Sequence, residues 1–226
     1  MLFRSQLAPL MMPLREFPYE FPSLNRQSFK GLPGLLADSL PDRFGNAVID
    51  AWLAGQGRTP GSFHPVERLC YTGRRGMGAL EYEPALFDGS VSGHALDIEA
   101  LVQLANRVLD ERAALAGALR GDGDRQAMED ILRVGTSAGG ARAKAILAWN
   151  PDTGEFRSGQ VDVAEGFEHW IMKFDGISNN RDRELADPQG YGRIECAYHL
   201  MAIHAGIHMM PCRLHHEGGR SHFMTR

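Results

Sequence analysis

The sequence predicts an α+β fold in which an antiparallel sheet is flanked by helices. Apolar residues recur at helical spacing from Asp97 to Leu119 and again from Tyr191 to Ala205. Between these stretches, the segments 144–149 and 155–161 flank the Pro-Asp-Thr-Gly sequence at 151–154, which is typical of a hairpin turn. With 43% hydrophobic and 23% charged residues, the chain has a globular composition, and it contains no apolar run of about 18 residues that would indicate a membrane span.

The first 46 residues are predicted to wrap around a core that later residues supply. Six prolines are expected to keep this segment extended or turning rather than helical until Leu35-Leu36-Ala37. The first long helix is expected from Asp42, where apolar residues begin to follow at helical spacing, and it should end at Gly55 or Gly57. The other short elements expected along the chain are a helix over 65–71 and strands over 79–82, 144–149, 155–161 and 169–174.

Charge and cysteine content narrow the function classes. The 24 Lys and Arg residues and 28 Asp and Glu residues give a net charge of -4, which argues against direct binding of nucleic acid by this chain. The three cysteines form no Cys-x-x-Cys pair, so we expect reduced thiols. The N-terminus lacks the apolar stretch of a secretory signal, and a cytoplasmic protein is therefore expected.

The nine histidines do not predict a metal site. Two ligands on one helix should lie three or four residues apart. His199 and His204 are five apart, and Gly206 separates His204 from His208. We therefore expect the histidines of the C-terminal third, His222 included, to lie in solvent or at an interface.

A run of small residues before a basic residue is the most unusual feature of the sequence. It reads Val-Gly-Thr-Ser-Ala-Gly-Gly-Ala-Arg-Ala-Lys over 134–144. Such a loop can bring backbone N–H groups close to phosphate oxygens, because no bulky side chain intervenes. The spacing matches neither the Walker A pattern nor the usual kinase glycine loop, so a flexible turn between a helix and a hairpin is the alternative.

Lys173 lies inside an otherwise apolar predicted strand, and its charge therefore needs a phosphate or a carboxylate as a partner. A kinase N-lobe carries a lysine on a strand after a glycine-rich loop and hairpin, and a glutamate on the following helix. Glu195, near the start of the predicted 191–205 helix, has that order. The alternative is a lysine on an edge strand that reaches solvent.

Four segments of the chain form a recognisable set. They are Leu-Pro-Gly-Leu-Leu-Ala-Asp-Ser-Leu-Pro-Asp at 32–42, the 133–144 segment, Trp-Ile-Met-Lys-Phe-Asp-Gly at 170–176, and the tail at 209–226. Together they resemble the HipA family of bacterial serine/threonine kinases. The resemblance implies a HipA-type N-terminal subdomain, incomplete at its start, over 1–95. It also implies a helical connector and a kinase-like N-lobe over 96–226.

The same resemblance implies partners and a set of ATP-binding residues. HipA proteins are toxins of type II toxin–antitoxin modules, pair with a helix-turn-helix HipB-like antitoxin, and phosphorylate an aminoacyl-tRNA synthetase. Ser137 is similar to the serine whose autophosphorylation ejects the glycine-rich loop and silences the kinase. The residues implied to contact ATP are Gly139, Gly140, Ala141, Lys144, Lys173 and Glu195.

Family members continue past the position of Arg226 into a helical C-lobe, which holds the catalytic and Mg²⁺-binding aspartates. We therefore expect the C-lobe to be absent from this chain, with no catalytic or metal-binding residue assigned and no kinase activity for the chain alone. The alternative is a non-catalytic protein that sequesters a HipB-like antitoxin or a kinase partner. An exposed apolar surface around 196–211 would favour that alternative.

Overall fold

The computed structural model describes residues 12–13, 15–76, 80–86, 95–110, 122–135, 142–160, 165–177 and 189–226. The α+β class is confirmed, with helices α1 (Arg26–Phe29), α2 (Gly34–Asp38), α3 (Arg43–Gly55), α4 (Pro65–Thr72), α5 (Ile98–Asp110), α6 (Asp122–Gly135) and α7 (Tyr191–His204). The strands are β1 (Lys144–Trp149), β2 (Phe156–Ser158), β3 (Glu168–Lys173), β4 (Cys212–Glu217) and β5 (Arg220–Thr225). None of the helices in these ranges combines the length and apolar content that a membrane crossing requires.

Helix α3 begins where the sequence predicts, because Asp42 caps it. The Asp42 carboxylate accepts a hydrogen bond from the Gly45 N–H at 2.7 Å, which satisfies one of the free donors of the first turn. Phe44 and Ile49 then point into the core and are almost fully buried.

The prediction of a strand over 79–82 is wrong for residues 80–82, the part that the structure describes. Residues 80–82 are irregular. The Tyr82 N–H donates to the Gly73 carbonyl, and the Leu86 N–H donates to the Cys70 carbonyl. Because these two N–H groups have acceptors at the end of α4, they do not need a neighbouring strand to pair with.

One apolar core joins the helices to the sheet. Helix α5 begins at Ile98 after Asp97, as predicted, whereas residues 111–119 of that prediction lie outside the described residues. Leu104 on α5 and Ile131 on α6 are fully buried in the same cluster as Met172 on β3. The sheet is therefore fixed against the helical layer.

The five strands form an antiparallel sheet in the order β2-β1-β3-β5-β4. Strands β1, β2 and β3 lie where the sequence predicts, although β2 is shorter. The β4–β5 hairpin was not predicted. Its signal is the Gly218-Gly219 pair, since two glycines with positive φ suit a tight hairpin turn.

Helix α7 lies where predicted, but the prediction that it is buried is wrong. Ile194, Tyr198 and Met201 have exposed fractions of 50%, 66% and 63%. Gly192 is the buried residue of the helix and lies against β5. Apolar spacing identified a helix, but spacing alone does not show what covers the apolar side chains.

Candidate functional site

Two lysines face each other across the sheet. Lys144 on β1 is the direct partner of Lys173 on β3 in the antiparallel ladder. Such partners have Cβ atoms about 5 Å apart, and like charges at that position destabilise a sheet. The strands therefore create a local concentration of positive charge that requires anionic groups nearby.

Glu195, on the second turn of α7, supplies one of those anionic groups. The Lys173 Nζ donates to Glu195 Oε2 at 2.6 Å. Arg142, which precedes β1, donates from its Nη1 to Glu195 Oε1 at 2.7 Å. Lys173 and Glu195 are thus in contact, while their roles toward ATP stay predictions.

Lys144 lies deeper than Lys173, with 8% of its surface exposed. Burial lowers the pKa of the Lys144 ammonium, and the nearby positive charge of Lys173 lowers it further, whereas the carboxylates of Asp42 and Glu195 oppose these effects. Burial also raises the pKa of the Asp42 carboxyl. The N-terminus of α3 therefore contributes a carboxylate to the electrostatics of the sheet.

The predicted phosphate loop lies outside the described residues. This applies to Ser137, Gly139, Gly140 and Ala141, whose assignments stay predictions. The structure does describe Arg142, which directly follows that segment. The sequence reasoning missed Arg142 as a site residue, although its position two residues before Lys144 was a signal, since such residues share a face of an extended chain.

A second polar group links the end of β3 to the start of α7. The Asp175 carboxylate accepts hydrogen bonds from the Gly190 N–H at 2.8 Å and the Ser221 N–H at 3.2 Å. The Asp175 N–H donates to His222 Nδ1 at 2.9 Å. These bonds fix the turn that leads into α7 and thereby help to place Glu195.

The prediction that His222 lies in solvent or at an interface is wrong. His222 is fully buried on β5, and its ring packs edge-on against Phe174, with ring centres 6.0 Å apart. Strand β5 lies between β3 and β4, and its residues from 221 to 224 are all buried. Within the described ranges, no three His, Cys, Asp or Glu side chains gather in an arrangement that could hold a metal ion.

Two family models match the chain. The HipA N-terminal domain matches residues 3–83, and the HipA-like C-terminal domain matches residues 136–226. The chain belongs to the HipA family. No curated protein and no solved structure gives a significant match.

Both HipA matches contribute residues to the candidate site. Arg142, Lys144, Lys173 and Glu195 lie in the match to the C-terminal domain, and Asp42 lies in the match to the N-terminal domain. The expectation that the C-lobe is absent is not confirmed, because residues 136–226 match the HipA-like C-terminal domain. The description of these residues as a kinase-like N-lobe stays a prediction.

Proposed function

We propose that this HipA-family chain binds the phosphates of ATP as the N-lobe part of a serine/threonine kinase. The observation that carries the proposal is the 2.6 Å contact between Lys173 and Glu195. Among the described residues, Arg142, Lys144 and Lys173 bring three positive charges to a place where Glu195 and Asp42 bring two negative ones. A partly exposed site with surplus positive charge favours an anionic ligand.

Each residue has a distinct role in this proposal. Lys173 would donate hydrogen bonds to phosphate oxygens, and Glu195 would hold the Lys173 side chain in position. Lys144 would add positive potential from below the strand surface. The small residues Gly139, Gly140 and Ala141 would offer backbone N–H groups to the phosphates. Phosphorylation of Ser137 would add a dianion beside these residues and so oppose nucleotide binding.

Phosphoryl transfer also needs a base and Mg²⁺. We assign these to the catalytic and metal-binding aspartates of a HipA C-lobe and assign no catalytic residue among the described ones. With that lobe, the proposed substrate is a protein of the aminoacyl-tRNA synthetase class in the cytoplasm. The proposed partner is a HipB-like antitoxin, in keeping with the family of toxin–antitoxin kinases.

Lys173→Ala is expected to abolish the stabilisation of the protein by ATP. A ligand at a hundred times its dissociation constant stabilises the folded state by about 2.7 kcal/mol, and this gain should disappear with the ammonium group. The measurement is thermal unfolding with and without ATP and MgCl₂. An ATP-dependent shift that survives in Lys173→Ala would contradict the proposed site.

Arg74→Ala is the matched control for Lys173→Ala. Arg74 lies just after α4, is 70% exposed and pairs with Glu83 at 2.8 Å. Its removal also subtracts one positive charge, so a general effect of net charge would appear in both variants. We expect Arg74→Ala to keep the full ATP shift.

The exposed face of α7 favours a second candidate function, a non-catalytic protein that sequesters a HipB-like antitoxin or a kinase partner. Large exposed apolar patches on a protein surface mark sites for partners. In the first proposal, a kinase C-lobe would cover this face. The exposed apolar residues of the face are Ile194, Tyr198, Leu200, Met201 and Ile203, followed by Ile207, Met209 and Met210.

A double variant tests the second candidate. Tyr198→Lys with Met201→Lys should weaken binding of a purified HipB-like antitoxin at least about tenfold, because burying one large apolar side chain contributes about 1.5–3 kcal/mol. Titration calorimetry measures the affinity. Phe17→Lys is the control, since Phe17 is 75% exposed elsewhere in the chain. Equal affinities for the double variant and the unmodified chain would contradict the second candidate.

A further inference from the structure

Arg142 contacts the first two turns of α7. Its Nη1 donates to Glu195 Oε1 at 2.7 Å, and its guanidinium carbon lies 4.3 Å from the centre of the Tyr191 ring. Tyr191 and Glu195 are four residues apart and therefore share one face of the helix. That face holds the guanidinium through a charge pair and a cation–π contact.

The two oxygens of Glu195 are bound by different cations. Oε1 accepts from Arg142 at 2.7 Å, and Oε2 accepts from Lys173 at 2.6 Å. Glu195 is 22% exposed, so solvent competes only in part with these two bonds. A carboxylate that is bound at Oε1 cannot rotate freely about its terminal torsion, and Oε2 is therefore held toward Lys173.

The charges alone do not explain why Arg142 joins the pair of Lys173 and Glu195. Lys173 and Glu195 would form a pair without a third member, and Arg142 brings a further positive charge close to Lys173. A planar guanidinium differs from an ammonium because it fixes direction as well as charge. The contact of Arg142 with Tyr191 fixes the guanidinium itself, so its effect on Glu195 is one of orientation.

We propose that Arg142 is a positioning residue for phosphate binding, which orients Glu195 and, through Glu195, the ammonium of Lys173. The proposal rests on the ATP-phosphate site proposed above and adds a residue to it. The ligand class is a nucleoside polyphosphate. Arg142 acts on the phosphates indirectly, by way of Glu195, and this separates its role from that of Lys173.

A double-mutant cycle tests the proposal. We expect Arg142→Gln to weaken ATP binding about tenfold, Glu195→Gln to weaken it at least as much, and the double variant to bind no more weakly than Glu195→Gln alone. Non-additivity follows because Arg142 has nothing to orient once the carboxylate is gone. Calorimetry with ATP and MgCl₂ gives the affinities. Losses that multiply in the double variant would overturn the proposal, since they would show that Arg142 acts independently of Glu195.

Two further variants separate positioning from a general effect on folding. Arg142→Lys keeps the charge and should recover part of the lost affinity, even if Arg142→Gln folds poorly. Arg157→Gln breaks a similar pair, Arg157 with Glu155 at 2.6 Å, on strand β2 and should leave ATP binding unchanged. Unchanged ATP affinity in both Arg142 variants would overturn the role of Arg142 but would leave the proposed ATP site in place. An unmodified chain that binds no ATP would contradict the proposed function and, with it, this inference.

Discussion

Gly192→Ala is expected to destabilise the protein by about 3 kcal/mol or more and to separate α7 from the sheet. A Cβ atom at position 192 would lie 1.9 Å from the Ser221 carbonyl oxygen and 3.1 Å from its carbon. Both are main-chain atoms of β5, which is hydrogen-bonded to β3 and β4. Relief therefore requires a shift of a whole element. The gain in helix propensity from alanine, about 1 kcal/mol, is too small to offset this cost.

Denaturant unfolding measures the effect of Gly192→Ala. The control is Gly55→Ala in α3, where an added Cβ would have no atom within 4 Å. We expect that control to keep its stability or gain up to about 1 kcal/mol. Glu195 lies on the same helix as Gly192, so Gly192→Ala should also lose the ATP-dependent thermal shift. Wild-type stability in Gly192→Ala would contradict the close packing of α7 on β5.

Local patterns predicted the elements that lie in one stretch of sequence. The Asp42 cap determined the start of α3, and the turn at 151–154 determined the β1–β2 hairpin. The β4–β5 hairpin was missed because the histidines and charges of 212–222 do not form a clear alternating strand pattern. The exposure of α7 was missed because it depends on what packs against the helix, which apolar spacing along the chain does not show.

The candidate site could be predicted only in part, because some of its contacts join residues that are far apart in the sequence. The contact of Lys173 with Glu195 follows from their order along the chain, because a strand followed by a helix returns to the sheet. Arg142 and Glu195 are 53 residues apart, and only the packed sheet shows that they meet. His222 was expected in solvent or at an interface because a histidine alone carries no signal of burial, and its position on β5 becomes clear once the strand order is known.

Lowering the pH from about 6.5 to about 4 is expected to reduce the free energy of unfolding by up to about 3 kcal/mol through His222. Burial lowers the His222 pKa to about 4, with a further contribution from His215 and Arg220, whereas Asp175 and Glu99 oppose the shift. An unfolded histidine titrates near pH 6.5. Between these two values the unfolded state binds more protons, so stability falls as the pH falls.

The hydrogen bonds around His222 also predict that stability falls as the pH falls. Nδ1 accepts from the Asp175 N–H at 2.9 Å and therefore must remain unprotonated. Among the described residues, Nε2 is buried without a hydrogen-bond partner, so a charge on the ring would be poorly solvated. Protonation would disturb Asp175, which holds the turn before α7 through the Gly190 N–H. Acid should therefore loosen the start of α7 before the whole domain unfolds.

Denaturant unfolding at pH 7, 5.5 and 4.5 measures this dependence. His222→Gln carries no titrating ring but keeps an acceptor for the Asp175 N–H, so its stability should change less across this range than that of the unmodified chain. His208→Gln, which alters an exposed histidine beyond α7, should retain the full slope. The slope is compared rather than the stability at one pH, because a smaller side chain leaves space in the core and lowers stability at every pH. Equal slopes for His222→Gln and the unmodified chain would show that other groups carry the acid sensitivity.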